Sequence, residues 1–145
     1  MQSNPVLIGP FGSDKGRKVR MQPKPQRLQK LDVWIDSDQK WVNGVTIKSN
    51  GAEFKFGNTD AGTKKTLFDL DADPTDYVVE IFGRTGSTYV NCLGVKCFKG
   101  SDSLFGKDEG EKFSIPVTDG GAVAGLFGRA DDAAVTAVGA YVVTP

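Results

Sequence analysis

Short apolar runs, rich in β-branched and aromatic residues, alternate along the chain with clusters of Gly, Asn, Asp and Pro. The runs are Val6-Leu7-Ile8, Leu31–Ile35, Trp41–Lys48, Glu53–Phe56, Tyr77–Phe82, Thr88–Phe98, Phe113–Val117, Val123–Phe127 and Ala134–Val143. Runs of this length and composition predict strands. No window of helical length repeats its apolar residues at the helical period. Ala130–Ala137 is alanine-rich, but it matches the Thr88–Gly94 stretch, so it too is read as strand. The 18 glycines lie mostly between these runs, where tight turns need them. Gly9–Lys30 is weakly patterned and predicts a loop and a twisted hairpin. The whole predicts an all-β sandwich, barrel or prism in a single domain over residues 1–145.

The strand pattern repeats. Ile81-Phe82-Gly83-Arg84 recurs 45 residues later as Leu126-Phe127-Gly128-Arg129, and Val90–Val95 recurs at the same offset as Val135–Ala140. A fainter copy lies 48 residues upstream, with Val33-Trp34 on Ile81-Phe82 and Trp41-Val42-Asn43 on Tyr89-Val90-Asn91. A unit of this length cannot bury its apolar face alone. Three of them predict pseudo-threefold packing around a shared core, with Val33, Ile35, Val79, Ile81, Val95, Leu126 and Val138 buried.

Charge and cysteine content narrow the function. The 18 basic and 18 acidic residues cancel, which argues against nucleic acid as the main partner. Lys15–Lys30 is locally basic; it reads as a solvated hairpin, with a phosphate-binding patch as the alternative. No stretch approaches the length of a membrane-spanning helix. Met1–Pro5 carries no basic region followed by an apolar run, so a cytosolic protein is expected, with non-classical release as a route outside. Cys92 and Cys97 fall on opposite faces if they share a strand, and free thiols are expected.

Catalysis has little to work with. The chain has no histidine, no Gly-x-Ser-x-Gly elbow and no phosphate-binding Gly-Lys-Ser/Thr loop. Neither a cofactor nor a metal is expected. The acidic run Asp69–Asp76 lacks the glycine and distal glutamate of a calcium loop and reads as a solvated turn. More telling are Trp41-Val42-Asn43 and Tyr89-Val90-Asn91. On a regular strand each aromatic shares a face with its Asn. A ring to cover a C–H face and an amide to pair with hydroxyls suit a sugar; the plainer reading is a packed ring beside a turn-forming Asn. Glycine-containing loops follow: Gly57-Asn58-Thr59-Asp60-Ala61-Gly62 after the first copy and Gly100–Gly110 after the second, while Gly9–Gly16 opens the chain.

From Gly9-Pro10-Phe11-Gly12 to Val138–Val142 the chain resembles the jacalin-related lectins. Leu104-Phe105-Gly106-Lys107, Phe113-Ser114-Ile115-Pro116 and Gly125-Leu126-Phe127-Gly128-Arg129 are similar to that family's Gly-Pro-Phe-Gly, Phe-Ser-Leu-Pro and Gly-Phe-Phe-Gly-Arg segments, in the same order. The resemblance implies a β-prism of three four-stranded Greek-key sheets. It also implies a sugar site at one prism end, between a Gly-Gly loop near the N-terminus and a Gly-x-x-x-Asp loop near the C-terminus. Here that Asp falls on Thr136, the usual aromatic falls on Ala134, and the glycine pair is reduced to Gly12 followed by Ser13, with Gly16 later. Asp131 and Asp132 are the carboxylates near enough in sequence to compensate. By threefold analogy Asn43 pairs with the Gly57–Gly62 loop and Asn91 with the Gly100–Gly110 loop, offering two better-equipped sites with Trp41 and Tyr89 beside them.

The reading is therefore a non-catalytic, carbohydrate-binding lectin whose partners are glycans or glycoproteins. Mannose or glucose is preferred, because no processing to a new N-terminus is suggested. A homo-oligomer, in the simplest case a dimer, is the expected assembly. The rival is a domain of the same fold that has lost sugar binding and serves as an interaction or structural module; Thr136 and Ala134 favour it.

Overall fold

In the computed structural model, which describes residues 4–144, the chain forms twelve strands and, among those residues, no helix. They are β1 (Val6–Gly12), β2 (Arg17–Val19), β3 (Leu28–Ile35), β4 (Val42–Ser49), β5 (Ala52–Gly57), β6 (Thr63–Asp69), β7 (Val78–Thr85), β8 (Val90–Cys97), β9 (Asp102–Gly106), β10 (Glu111–Pro116), β11 (Ala122–Ala130) and β12 (Val135–Val143). Met1, Gln2 and Ser3, part of the stretch read for a leader, lie outside the described residues. Every run predicted as strand is one. The three strands missed from sequence, β2, β6 and β9, are all sheet edges. An edge strand needs no continuous apolar face, and each residue of Thr63–Thr66 in β6 is exposed.

The strands form three antiparallel four-stranded sheets: β5-β4-β3-β6, β10-β7-β8-β9 and β1-β12-β11-β2. In each, three strands meander and a fourth returns beside the first, a Greek key. The third sheet closes the molecule, because β11 and β12 from the C-terminal end are completed by β1 and β2 from the N-terminal end. This is the β-prism, and the split third unit explains why only two copies of the repeat are contiguous in sequence. It also corrects the hairpin expected within Gly9–Lys30: β2 pairs with β11, while β3 pairs with β4 and β6. That segment is not fully solvated either, since Met21 is buried and its amide donates to the Tyr141 hydroxyl at 3.1 Å.

Inward-facing residues of the sheets merge into one cluster. Equivalent positions Val33, Ile81 and Leu126 are each 0% exposed, and burying such a side chain contributes about 1.5–3 kcal/mol. Ile35, Val95 and Val138 are also buried, whereas Val79 is only half-buried: the pairing register of β7 shifts there, and Val78 takes the core position instead. Cys92 and Cys97 are both free and buried. They occupy opposite faces of β8: Cys97 belongs to the core, and Cys92 lines a cavity on the outer face. Burial pushes both thiols above their usual range. At the far end, the Asp69–Asp76 segment is the turn expected. Lys99 and Thr75 hold the Asp73 carboxyl down at about 2, and no cluster of metal-ligating side chains exists among the described residues.

Candidate functional site

One end of the prism carries the same small device three times. Near the start of the second strand of each unit, the pairing register shifts by one residue: at Asn43 in β4, at Asn91 in β8 and at Thr136 in β12. A β-bulge leaves one residue unpaired and re-aims its side chain. The strand is therefore not regular there, so Trp41 does not share a face with Asn43, nor Tyr89 with Asn91, in the simple alternating way. The bulge instead points each of the three residues into the loop between the third and fourth strands of its unit.

Those loops run 57–62, 106–110 and 12–16, each from one glycine to another. The first glycine has φ of +81° at Gly57, +112° at Gly106 and +136° at Gly12. A Cβ there would run into the carbonyl oxygen of Asn43, Asn91 and Thr136 respectively. The next residue then donates its amide to that same carbonyl: Asn58 to Asn43 at 2.8 Å, Lys107 to Asn91 at 2.9 Å and Ser13 to Thr136 at 3.0 Å. The bulge side chain returns a bond to the residue before the second glycine. Asn43 Nδ2 donates to the Ala61 carbonyl at 3.3 Å, Asn91 Nδ2 to the Glu109 carbonyl at 2.8 Å, and Thr136 Oγ1 to the Lys15 carbonyl at 2.6 Å.

The three copies differ in what is left over. Among the described residues no buried side-chain nitrogen or oxygen lacks a partner. Neither Asn43 Oδ1 nor Asn91 Oδ1 accepts a bond within the chain; Asn91 is half-buried, and Asn43, 5% exposed, shows solvent only a narrow opening. Each Oδ1 is an acceptor held still by its own amide. Thr136 is 0% exposed, its single hydroxyl donates to Lys15, and nothing of it can meet a ligand. The position expected to replace the family's Asp is thus a structural tie.

The remaining sequence-predicted residues divide. Gly57, Asn58 and Gly62 form the loop at Asn43, and Gly12 and Gly16 form the loop at Thr136. Gly100 does not belong. The expected Gly100–Gly110 loop is interrupted by β9, whose Asp102 pairs with Lys96 and whose Gly106 pairs with Cys92, so Gly100 sits at the opposite end of the sheet from Asn91. Gly106 and Gly110 hold the place given to Gly100, and Gly86 lies against the Asn91 carboxamide. The Gly106–Gly110 spacing equals that of Gly12–Gly16, a signal available in the sequence.

Trp41 and Tyr89, from different sheets, pack on each other with ring centroids 4.9 Å apart at 48°. Both rings are half-buried, and they precede β4 and β8, the strands that carry Asn43 and Asn91. The third position, Ala134, is buried. Asp131 caps the neighbouring loop: Oδ1 accepts from the Ala133 and Ala134 amides at 2.8 and 2.9 Å, and Oδ2 accepts from the Tyr89 hydroxyl at 3.0 Å. Burial opposes its ionisation, but these three donors outweigh it and hold the carboxyl below its ordinary value. Tyr89 is raised in turn, first by that bond. Asp132 is exposed and pairs with Arg17 at 3.1 Å. Neither carboxylate substitutes for the missing Asp, since one is consumed by its loop and the other points to solvent.

Three four-stranded sheets around one core, with the same bulge-and-glycine-loop device at one end of each, define a β-prism protein. Residues 8–141 match the jacalin-like lectin domain, and the chain belongs to that family of non-catalytic, carbohydrate-binding proteins. It is 35% identical over 148 residues to horcolin of Hordeum vulgare, covering 97% of this chain and 98% of horcolin. Its fold matches AcmJRL, a mannose-binding jacalin-related lectin from Ananas comosus, with a TM-score of 0.78 at 23% identity over 99% of this chain and all of that one. It likewise matches artocarpin complexed with methyl-α-mannose, with a TM-score of 0.79 at 19% identity over 97% of this chain and 99% of that one.

Proposed function

We propose that the chain is a lectin for mannose- or glucose-type sugars, with Asn43 and Asn91 as its two working sites and Thr136 as a closed third. The observation that carries this is the pair of carboxamides whose nitrogens are tied to their own loops and whose oxygens have no partner among the described residues, with the packed Trp41 and Tyr89 rings two residues before them. A neutral carboxamide accepts from a sugar hydroxyl, the loop amides supply donors, and a ring face covers a C–H face. The mannose-binding structures of the same fold support the sugar type. One monosaccharide on so shallow a loop pair yields roughly 4–6 kcal/mol, a dissociation constant of high micromolar to millimolar. Useful avidity then comes from two sites on one face and from a second copy of the chain, for which the exposed Val6 and Ile8 of the edge strand β1 offer an apolar surface. A cytosolic location is part of the same proposal and is compatible with two free thiols.

Calorimetric titration with methyl mannoside, methyl glucoside and methyl galactoside tests the reading. Saturable binding of the first two at about two sites per chain is the expected result. Binding of galactoside alone would refute the preference. No binding of any glycan on an array would favour the interaction-module alternative, which the sealed Thr136 and buried Ala134 already suit at one of the three sites.

A further inference from the structure

The outer faces of the three sheets can be compared as the prism ends were. Each has a shallow cavity over equivalent strands, floored by an aromatic: Trp34, Phe82 and Phe127. In the first sheet the lining cations Lys30, Lys48 and Lys64 face the carboxylates of Asp32 and Glu53. In the second, Arg84 and Lys112 face Glu80 and Asp108, with Arg84 bound to Asp108 at 2.7 Å. The third sheet breaks the pattern. Its cavity of about 290 Å³ is lined by Lys18, Arg20 and Arg129 and by no carboxylate.

This imbalance is built into the strand register. Lys18 of β2 lies directly opposite Arg129 of β11, so both project from the same face. Like charges at opposed positions destabilise a sheet. Arg20 follows Lys18 on the same side two residues on. Among the described residues, the Lys18 and Arg20 side chains make no hydrogen bond or ion pair, and Arg129 has only the Asp14 carbonyl at 3.4 Å. Of the acids nearby, Asp14 meets Arg129 through its backbone carbonyl and its carboxylate forms no ion pair among the described residues, Asp132 pairs with Arg17, and Asp131 is tied into its own loop. Three convergent cations on an apolar floor, with no internal counter-charge, form a site for an oxyanion.

We propose that this trough binds a sulfate group carried on a glycan chain. The position favours a glycan over other polyanions. Lys18 lies two residues beyond Gly16, about 7 Å along the strand from the prism end that the Asn43 and Asn91 loops share, so an oligosaccharide reaching over that end passes near it. The cations lining this cavity number three in a chain of zero net charge, too few for a phosphate ladder or a membrane. The site is separate from the Asn43 and Asn91 loops and stands whether or not those bind neutral sugar.

The test is binding of dextran sulfate against unsulfated dextran of equal length in 0.15 M salt. Wild-type chain binds the sulfated polymer and not the neutral one. Lys18→Gln with Arg20→Gln weakens it about tenfold and makes the slope of log K against log salt shallower by roughly one to two. Lys48→Gln with Lys64→Gln removes the same charge from the first sheet and leaves binding unchanged. Methyl mannoside titrations of all three proteins agree, which shows that the variants are folded and that the two kinds of site are independent. Equal weakening by both double variants, equal binding of dextran and dextran sulfate, or tighter binding to duplex DNA or to phosphatidylserine vesicles would each overturn the proposal.

Discussion

The Asn43 and Asn91 loops and the Thr136 loop share a backbone and differ in one side chain. All three have the bulge, the positive-φ glycine and the amide returned to the bulge carbonyl. All three use the bulge side chain to donate to the loop. An Asn does this with its nitrogen and keeps an oxygen for a ligand. A Thr does it with the only polar atom it has. The scaffold and the binding group are therefore separable: the geometry survives in a copy that has no exposed group left to bind with.

The largest effects come from breaking what the copies share. Gly106→Ala places a methyl against the Asn91 carbonyl and strains a φ of +112°. We expect a stability loss of about 1–3 kcal/mol, read from urea unfolding, together with loss of the Asn91 site. Gly12→Ala should cost about as much stability and leave sugar affinity intact, because its loop serves no open site. If Gly12→Ala abolished sugar binding, the third loop would be active after all. Next come the binding groups. Asn43→Ala and Asn91→Ala should each weaken methyl mannoside by about 1–3 kcal/mol at one site and halve the measured stoichiometry. Unchanged titrations in both would exclude these sites.

Much of this was legible in the sequence. The repeat of Val33, Ile81 and Leu126 gave the threefold core, because inward positions must be apolar in every copy. The Asn positions were found through the same offset. What the sequence hid was set by local geometry. A bulge has no residue signature, so the alternation argument for Trp41 and Asn43 was made on a regular strand that does not exist. Edge strand β9 reads as loop because one face of an edge can be polar, and that misplaced Gly100. The rings of Trp41 and Tyr89 meet only because two units close together. The burial of Thr136 follows from Lys15, 121 residues away in the chain, a contact that no short-range pattern contains.

A smaller effect separates tie from ligand at the third copy. Thr136→Val keeps the shape and removes the hydroxyl, leaving the Lys15 carbonyl without its donor. Stability should fall by about 1 kcal/mol while sugar affinity stays at the wild-type value. A loss of affinity without a loss of stability would mean that Thr136 touches the sugar.

The smallest predicted effect concerns the link between the open and closed copies, the Tyr89 hydroxyl donating to Asp131. Tyr89→Phe keeps the ring against Trp41 and removes only this bond, so methyl mannoside affinity should hold. At pH 7 the variant should lose less than about 1 kcal/mol, since the pair is partly solvated. The pH dependence identifies the partner. Asp131 is held below its ordinary value of 3.8 by the Ala134 and Ala133 amides and by Tyr89 against the opposing effect of burial. Its contribution is therefore complete above 3.8 and is lost as pH falls through the depressed folded value. Removing Tyr89's share moves that folded value upward, so the gap in urea midpoint between wild type and Tyr89→Phe should be constant from pH 7 to pH 5 and close as the solution is made more acid. A gap that persisted undiminished at pH 2 would mean that the hydroxyl acts on something other than the Asp131 carboxylate.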